Sequence, residues 1–236
     1  MNIRLYHPNS IVENKTSLLS KEHTHYLANV LRVKLGSNLY LFNKNGEWKS
    51  EIIFLDKNRV EVKFLDKVKE PINMHDVQLA ICLVKKTPLD IILQKSTELG
   101  VSKIIPLISE RTEVRELNYD RAKKIIIEAT EQSNQLNPPS IDKITKLDEF
   151  LKNISEKTKL LFADINFKEK NDCSNLKKSK SITILIGPEG DFSPNERRLI
   201  TLKENVIPFS LSKNILRTDT AVISAISLVN FIINEH

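Results

Sequence analysis

Glycine is scarce in this 236-residue chain, with five in total, and cysteine is scarcer still, with two. Cys82 and Cys173 form no CxxC pair, which argues against a disulfide framework and fits a reducing compartment. Cys82 lies in an apolar run and reads as a buried core thiol. No stretch approaches the ~20 apolar residues of a membrane span. The N-terminus MNIRLYHPNS has no apolar signal core, so a cytosolic protein is expected. A GxxxxGK phosphate loop is missing, which argues against nucleotide hydrolysis, and no GxGxxG follows the first strand of the α/β pattern. There is no HExxH, no Cys/His cluster with zinc spacing and no GxSxG elbow. His23 and His25, two apart, point to different sides of a helix. No metal is expected.

The hydrophobic fraction, 40%, is enough for an ordinary core. Net charge is +6. Residues 1–72 carry 12 Lys+Arg against 8 Asp+Glu, and residues 73–236 carry 24 against 22, so the first third holds most of the excess. A solvated lysine surface and an anionic partner both fit that distribution.

The first third reads mostly as strands. Leu39–Asn43 is followed by a turn at Asn43-Lys44-Asn45-Gly46, then by Glu47–Leu55 and Arg59–Leu65. Val60, Val62 and Phe64 alternate with Glu61 and Lys63, the period of a half-buried strand. One helix interrupts, with Ser20 as its cap and an apolar stripe of Tyr26, Leu27, Val30 and Leu31. Short strands and tight turns suggest a small β-barrel over residues 1–70. The polar, proline-containing stretch 66–76 is the best linker candidate, which leaves residues 71–236 as a second domain.

From Val77 the pattern changes. Val77–Val84 is a continuous apolar run, as for a strand covered on both faces. Thr87-Pro88 then reads as a cap and first position of a helix, with Asp90 reaching back, and Gly100 ends it. Ile104–Ile108, Lys159–Asp164, Ser181–Ile186 and Val206–Leu211 read as strands. Residues 119–135, Pro194–Asn205 and Thr218–Asn234 read as helices. This alternation means an α/β domain with a mainly parallel sheet. The lysine-rich 168–180 stretch reads as a surface loop.

Ligands of open α/β sheets bind beyond the C-terminal strand ends. Ile186-Gly187-Pro188-Glu189-Gly190-Asp191 is one such end, and it holds two of the five glycines. It reads either as a close backbone approach to a ligand or as a plain turn before the helix at Pro194. Leu211 to Ala221 is the second, with Ile215 and Leu216 on a loop, then Arg217, then Thr218-Asp219. The apolar pair either covers something flat and apolar or plugs the core, and Thr218 and Asp219 serve equally as a helix cap.

At these loops the sequence resembles the ribosomal small-subunit methyltransferase E family, a branch of the knotted SPOUT class. Leu99-Gly100-Val101, Ile105-Pro106 and Ser109-Glu110-Arg111 are similar to its first block, and Glu128 to Ser133 to its second. Ile186 to Gly190 matches the third without change, and Ile215 to Ala221 is similar to the fourth. His25 and the run Val30 to Gly36 are similar to its N-terminal barrel. The chain departs from the pattern at Ser212 and Asp191, where glycine is usual, at Asp219 for glutamate, and at Gln135 for arginine.

The resemblance implies a C-terminal SPOUT-type α/β domain with a deep trefoil knot, preceded by a PUA-like β-barrel. It also implies an obligate homodimer and S-adenosylmethionine-dependent methyl transfer to N3 of a uridine in 16S ribosomal RNA or the small ribosomal subunit. The cofactor is expected on Ile186, Gly187, Gly190, Leu211 and Ser212, with Ile215 and Leu216 over the adenine, Thr220 as a polar contact, and Phe162 and Ala163 as a third wall. Arg217 is the expected catalytic cation, and Glu189 or Asp219 takes the proton. Arg4, Lys21, His25, Arg32 and Lys34 are the expected RNA contacts. The final helix, apolar on most sides, fits a core or subunit contact. Two other readings stand beside this one. One is a ribose 2′-O-methyltransferase of a sister branch, although that branch carries Ser-Leu-Asn where Ile215-Leu216-Arg217 stands. The other is an RNA-binding, ribosome-assembly dimer without activity.

Overall fold

Alternating burial along Arg59–Lys69 sets the first half of the architecture. The computed structural model describes residues 3–71, 75–167 and 176–234. Within that strand Val60, Val62 and Phe64 are buried, while Glu61 and Lys63 stay partly exposed, as the period-2 pattern requires. It is β5 of a five-stranded sheet with β1 (Arg4–Tyr6), β2 (Thr16–Leu18), β3 (Asn38–Asn43) and β4 (Gly46–Asp56), in the order β1-β3-β4-β5-β2. Strands β3, β4 and β5 form an antiparallel meander, and β1 joins β3 in parallel. Leu5, Leu27, Leu41, Trp48 and Ile52 complete the core of this unit.

Helix α1 (Lys21–His25) starts where the cap residue predicts, with Ser20 Oγ accepting the His23 N–H at 3.1 Å. The chain then widens into a π-helical turn over Tyr26–Leu31, closed by Arg32 in the left-handed region at φ 52°. The wider turn breaks the expected apolar stripe. Leu27 alone of the four is buried, and Tyr26, Val30 and Leu31 face solvent.

The second unit is built on a parallel sheet. Its strands are β6 (Asp76–Cys82), β7 (Lys103–Ile108), β8 (Ser140–Ile141), β9 (Thr145–Lys146), β10 (Lys159–Ala163), β11 (Ser181–Ile186) and β12 (Val206–Phe209). They run β12-β10-β11-β6-β7-β8, with β9 also on β7. Every pairing in this sheet is parallel. Helices α2 (Lys86–Glu98), α3 (Tyr119–Gln132) and α6 (Thr218–Asn234) send Ile92, Ile126 and Val229 into the core that takes Val77, Leu79 and Ile81 from β6. Helices α4 (Leu147–Asn153) and α5 (Pro194–Thr201) cover the other face with Phe150 and Ile200, over Ala80 and Cys82. Burial on both faces explains the unbroken apolar run at β6. Burial also pushes the Cys82 thiol up to about 12, against hydrogen bonds from Ser109 and Thr112. At the opposite, N-terminal edge, Asp76 accepts from Ser102 and Ser181 hydroxyls and from Gln78, which pins β7 and β11 to β6. Burial pushes its carboxyl up, but these bonds and Lys103 outweigh it and hold the group below the usual range.

Several sequence expectations change. Thr87 is not a cap: α2 begins at Lys86, and Asp90 forms a two-pronged pair with Arg121, at 3.0 and 2.6 Å. Strand β12 ends at Phe209 and α5 at Thr201, both short of the expected ends, and the 147–153 helix was not expected. Residues 130–137, assigned by sequence to the second domain, cluster with the first unit. There the Arg4 guanidinium donates to the carbonyls of Thr130 and Glu131 and to that of Gln135, and the His23 ring nitrogen lies 3.1 Å from Glu131 Oε1. Cys173 and residues 168–175 lie outside the described residues.

Candidate active site

Three adjacent strands, β12, β10 and β11, end at one edge of the parallel sheet, and the chain leaving each of them contributes to a single cleft. At the end of β10 stand Ala163, Asp164 and Ile165. Beyond β11 come Gly187, Pro188, Glu189 and Asp191. After β12 come Ser210, Leu211, Ser212, Asn214, Ile215 and Leu216, and the first turn of α6 adds Thr218 and Ala221. The cleft encloses about 660 Å³ when its open mouth is included.

The β11 loop owes its path to two residues. Asp191 adopts φ 60°, a region that favours glycine, and its Oδ1 accepts the Phe192 N–H at 2.7 Å. Phe192 turns back into the core and packs edge-on against Phe162, ring centroids 5.7 Å apart. The following helix is fixed by a capping box: Ser193 Oγ accepts the Glu196 N–H at 3.2 Å, and Glu196 Oε2 accepts the Ser193 N–H at 3.0 Å. The other carboxylate oxygen of Glu196 accepts the Glu110 N–H at 2.7 Å, and Arg111 Nη1 donates to the Gly190 carbonyl at 2.8 Å. The turn after β7 thereby braces the loop after β11.

Of the residues singled out for the cofactor, Ala163, Ile186, Gly187, Leu211, Ser212, Ile215 and Leu216 line this cleft together. Ile215 is 84% exposed, so it plugs no core. Three others do not line it. Phe162 is buried behind the wall against Phe192, because its position on β10 points it into the α4/α5 face. Gly190 faces Arg111 rather than the cleft: a Cβ there would meet Arg111 Cβ at 3.6 Å. Thr220 is exposed on α6, its N–H donating to Asp219 Oδ1 at 2.7 Å.

The three catalytic candidates separate similarly. Glu189 is exposed and lines the cleft. Asp219 holds the first turn of α6, and Arg217 stands exposed just before that helix; neither is part of the lining. Residues that sequence reasoning missed include Asp164, Arg111, Glu196 and Arg197. The Ser193-x-x-Glu196 spacing was a legible signal for one of them, whereas the contacts of the other three depend on tertiary folding.

In the first unit, Lys21, His25, Arg32 and Lys34 are exposed. His25 Nδ1 lies 3.0 Å from Asn29 Nδ2. Arg4 differs from them: besides the three carbonyls, its Nε donates to Glu47 Oε2 at 2.7 Å and its guanidinium stacks 3.5 Å over the Phe42 ring, so its donors are engaged within the unit. Among the described residues no cluster of three His, Cys, Asp or Glu could hold a metal ion, and no helix is long and apolar enough to cross a membrane.

The chain combines a parallel α/β domain, with a cleft in the loops beyond three neighbouring strands, and a smaller strand-rich unit, and both match domains of RNA methyltransferases. Residues 70–230 match the RNA methyltransferase domain, and residues 19–65 match the RNA methyltransferase PUA domain. The ribosomal RNA small subunit methyltransferase E of Rickettsia conorii is 37% identical over 234 residues, covering 97% of this chain and 95% of that protein. The Bacillus subtilis protein of the same name is 28% identical, covering 94% and 92%. Among solved structures, the Neisseria gonorrhoeae ribosomal RNA small subunit methyltransferase E bound to S-adenosyl methionine superposes with a TM-score of 0.88 at 28% identity, covering 98% of both chains. A Legionella pneumophila chain in complex with the bound cofactor SAM superposes at 0.89 with 30% identity, again covering 98% of both. The chain belongs to the ribosomal RNA small subunit methyltransferase E family.

Proposed function

We propose that this protein uses S-adenosylmethionine to methylate N3 of a uridine in 16S ribosomal RNA, within the cytoplasm and as a homodimer. The observation that carries this reading is the convergence of the 187–191 and 210–218 loops on one cleft. Had those loops lain apart, or had side chains filled the space between them, no donor site would remain.

The chemistry of the lining suits that donor. Among the described residues its charged side chains are Asp164, Glu189 and Asp191, with no Lys or Arg. With Asp164 paired to Arg197, Glu189 and Asp191 keep the lining net negative, which disfavours a phosphate-rich ligand and favours a cationic one. Ile165, Leu211, Ile215 and Leu216 offer apolar cover for a base. Gly187 and Ser212 bring backbone groups to the edge of the cleft. When bound, S-adenosylmethionine supplies an electrophilic methyl group on a positive sulfonium.

The acceptor sets the demand on the protein. Uridine N3 is a poor nucleophile until its proton leaves, and the resulting charge spreads onto the flanking carbonyl oxygens. Arg217 is exposed beside the cleft, which leaves its guanidinium available to one of those oxygens. Glu189 suits the proton better than Asp219, whose carboxylate already accepts from Thr220. The first unit, read as a PUA-like barrel, would hold RNA through Lys21, Arg32 and Lys34, with His25 beside them. The family assignment further supports a trefoil knot in the second unit and a dimer contact that uses α6, on which Phe231 is 64% exposed.

The test is a map of modified bases in 16S ribosomal RNA from cells with and without the gene. An N3-methyluridine that vanishes with the gene, and returns on incubation with the purified protein and S-adenosylmethionine, is the expected result. An unchanged map would overturn the reading.

A further inference from the structure

Asp164 is the first residue past β10, 4% exposed, and it lines the cleft. Its backbone N–H donates to the Phe209 carbonyl at 2.9 Å, which extends the β10–β12 ladder by one bond. Its side chain then turns the chain. Oδ1 accepts the Asn166 N–H at 2.9 Å, and the Asp164 carbonyl accepts the Phe167 N–H at 3.2 Å. Between those anchors Ile165 is left 49% exposed, yet it lines the cleft. An aliphatic side chain at the rim of a cavity gains free energy when a ligand covers it.

The second carboxylate oxygen, Oδ2, accepts from Arg197 Nη2 at 2.5 Å. Arg197 lies in the first turn of α5, next to Glu196, whose carboxylate holds the Ser193 and Glu110 N–H groups. That pair therefore ties the loop leaving β10 to the helix that follows the loop leaving β11. Two of the three walls of the cleft are fixed to each other through one buried carboxylate.

We infer that Asp164 and Arg197 are positioning residues for the donor. Their ion pair holds Ile165 in place as an apolar cover for the donor's base, alongside Ile215. Neither charge takes part in methyl transfer. The inference rests on the proposed donor site and adds a residue pair and a cover to it.

The asymmetry of the pair gives the test its shape. Asp164→Asn keeps an oxygen for the Asn166 N–H and releases Arg197, whose side chain is 35% exposed and can rehydrate. Arg197→Gln instead strands a buried carboxylate, the costlier change. Calorimetry with S-adenosylmethionine on the full chain should show affinity falling roughly tenfold for Asp164→Asn and further for Arg197→Gln, as when an orienting partner is lost from a preorganised site. Ile165→Ala should match the first loss without touching the pair, and Arg197→Lys should recover most of the affinity. In steady state the KM for the donor should rise while the KM for small-subunit RNA stays put, a split that general destabilisation would not produce. Wild-type affinity in both Asp164→Asn and Ile165→Ala would overturn the inference and leave the donor site standing. No binding by the unmodified protein would remove the donor site and the inference together. Should Arg197→Gln fail to fold, Ile165→Ala and Arg197→Lys still decide the matter.

Discussion

A Cβ atom placed on Gly187 would lie 3.0 Å from Cε2 of Phe192 and 3.2 Å from its Cδ2. Phe192 is 4% exposed and stacked edge-on against Phe162, so its ring has little room to retreat. Phe162 thereby influences the cleft from behind, by fixing the ring that leaves space only for glycine. Gly187→Ala should lower the unfolding free energy by about 1–3 kcal/mol, the usual cost of overpacking. The same change should weaken S-adenosylmethionine binding at least tenfold, because the β11 loop must shift to accept the methyl group. Urea unfolding and calorimetry read the two effects. Unchanged donor affinity would show that the 187–191 backbone does not shape the donor site.

Arg4 and Arg32 were equal candidates for RNA in the sequence, and the fold separates them. The Arg4 pair with Glu47 has both side chains 11% exposed. Arg4→Ala strands that carboxylate and three carbonyls, and it should cost about 3–5 kcal/mol of stability. Arg32→Gln and Lys34→Gln should leave stability nearly unchanged. Each should instead reduce the salt slope of RNA affinity by about one, as expected for a lost phosphate contact. A salt slope reduced by about one in a folded Arg4→Gln variant would return Arg4 to the RNA surface.

This contrast marks how far the sequence could be read. The central strands and the larger helices from Val77 onward were legible because burial on both faces of the sheet leaves unbroken apolar runs, and β11 and α6 begin and end at the expected residues, whereas β8, β9 and α4 were too short to leave a pattern. The cleft was legible because strand ends in such sheets face ligands and the two loops carry unusual residues for loops. Side-chain partners were not legible. The Arg4 contacts span more than 120 positions to reach Thr130 and Gln135, and no local pattern encodes that separation. Gly190 looked like Gly187 by composition, yet its Cβ direction faces Arg111. The π-helical turn at Tyr26–Leu31 escaped because a 3.6-residue period was assumed there.

Arg217→Ala should keep donor affinity within about twofold while lowering turnover by about 10²–10³, the usual loss when one charge-stabilising donor is removed. Glu189→Gln should lower turnover as well, and Asp219→Asn should act mainly through the first turn of α6. Single-turnover methylation with saturating RNA separates these effects from binding. Near-normal turnover in Arg217→Ala would remove that residue from the chemistry. A larger loss for Asp219→Asn than for Glu189→Gln would exchange the two carboxylates.

His7 gives the first unit a dependence on pH. It is 3% exposed, its Nε2 lies 3.3 Å from Ser17 Oγ, and its ring sits 5.6 Å from that of Phe64. Burial lowers its pKa below 6.5, and the nearby charge of His23 lowers it further. The folded chain therefore prefers the neutral imidazole. Above the unfolded value near 6.5 that preference is satisfied in both states, and stability is complete. As pH falls below it, the unfolded chain takes up a proton that the folded chain refuses, so stability declines until the folded pKa is passed. The urea midpoint of the full chain should fall between pH 7.5 and about pH 5. His7→Gln should flatten that dependence, and His23→Gln should reduce it by removing the second cause. A midpoint that rises on acidification in this range would mean that the His7 site favours the charged ring.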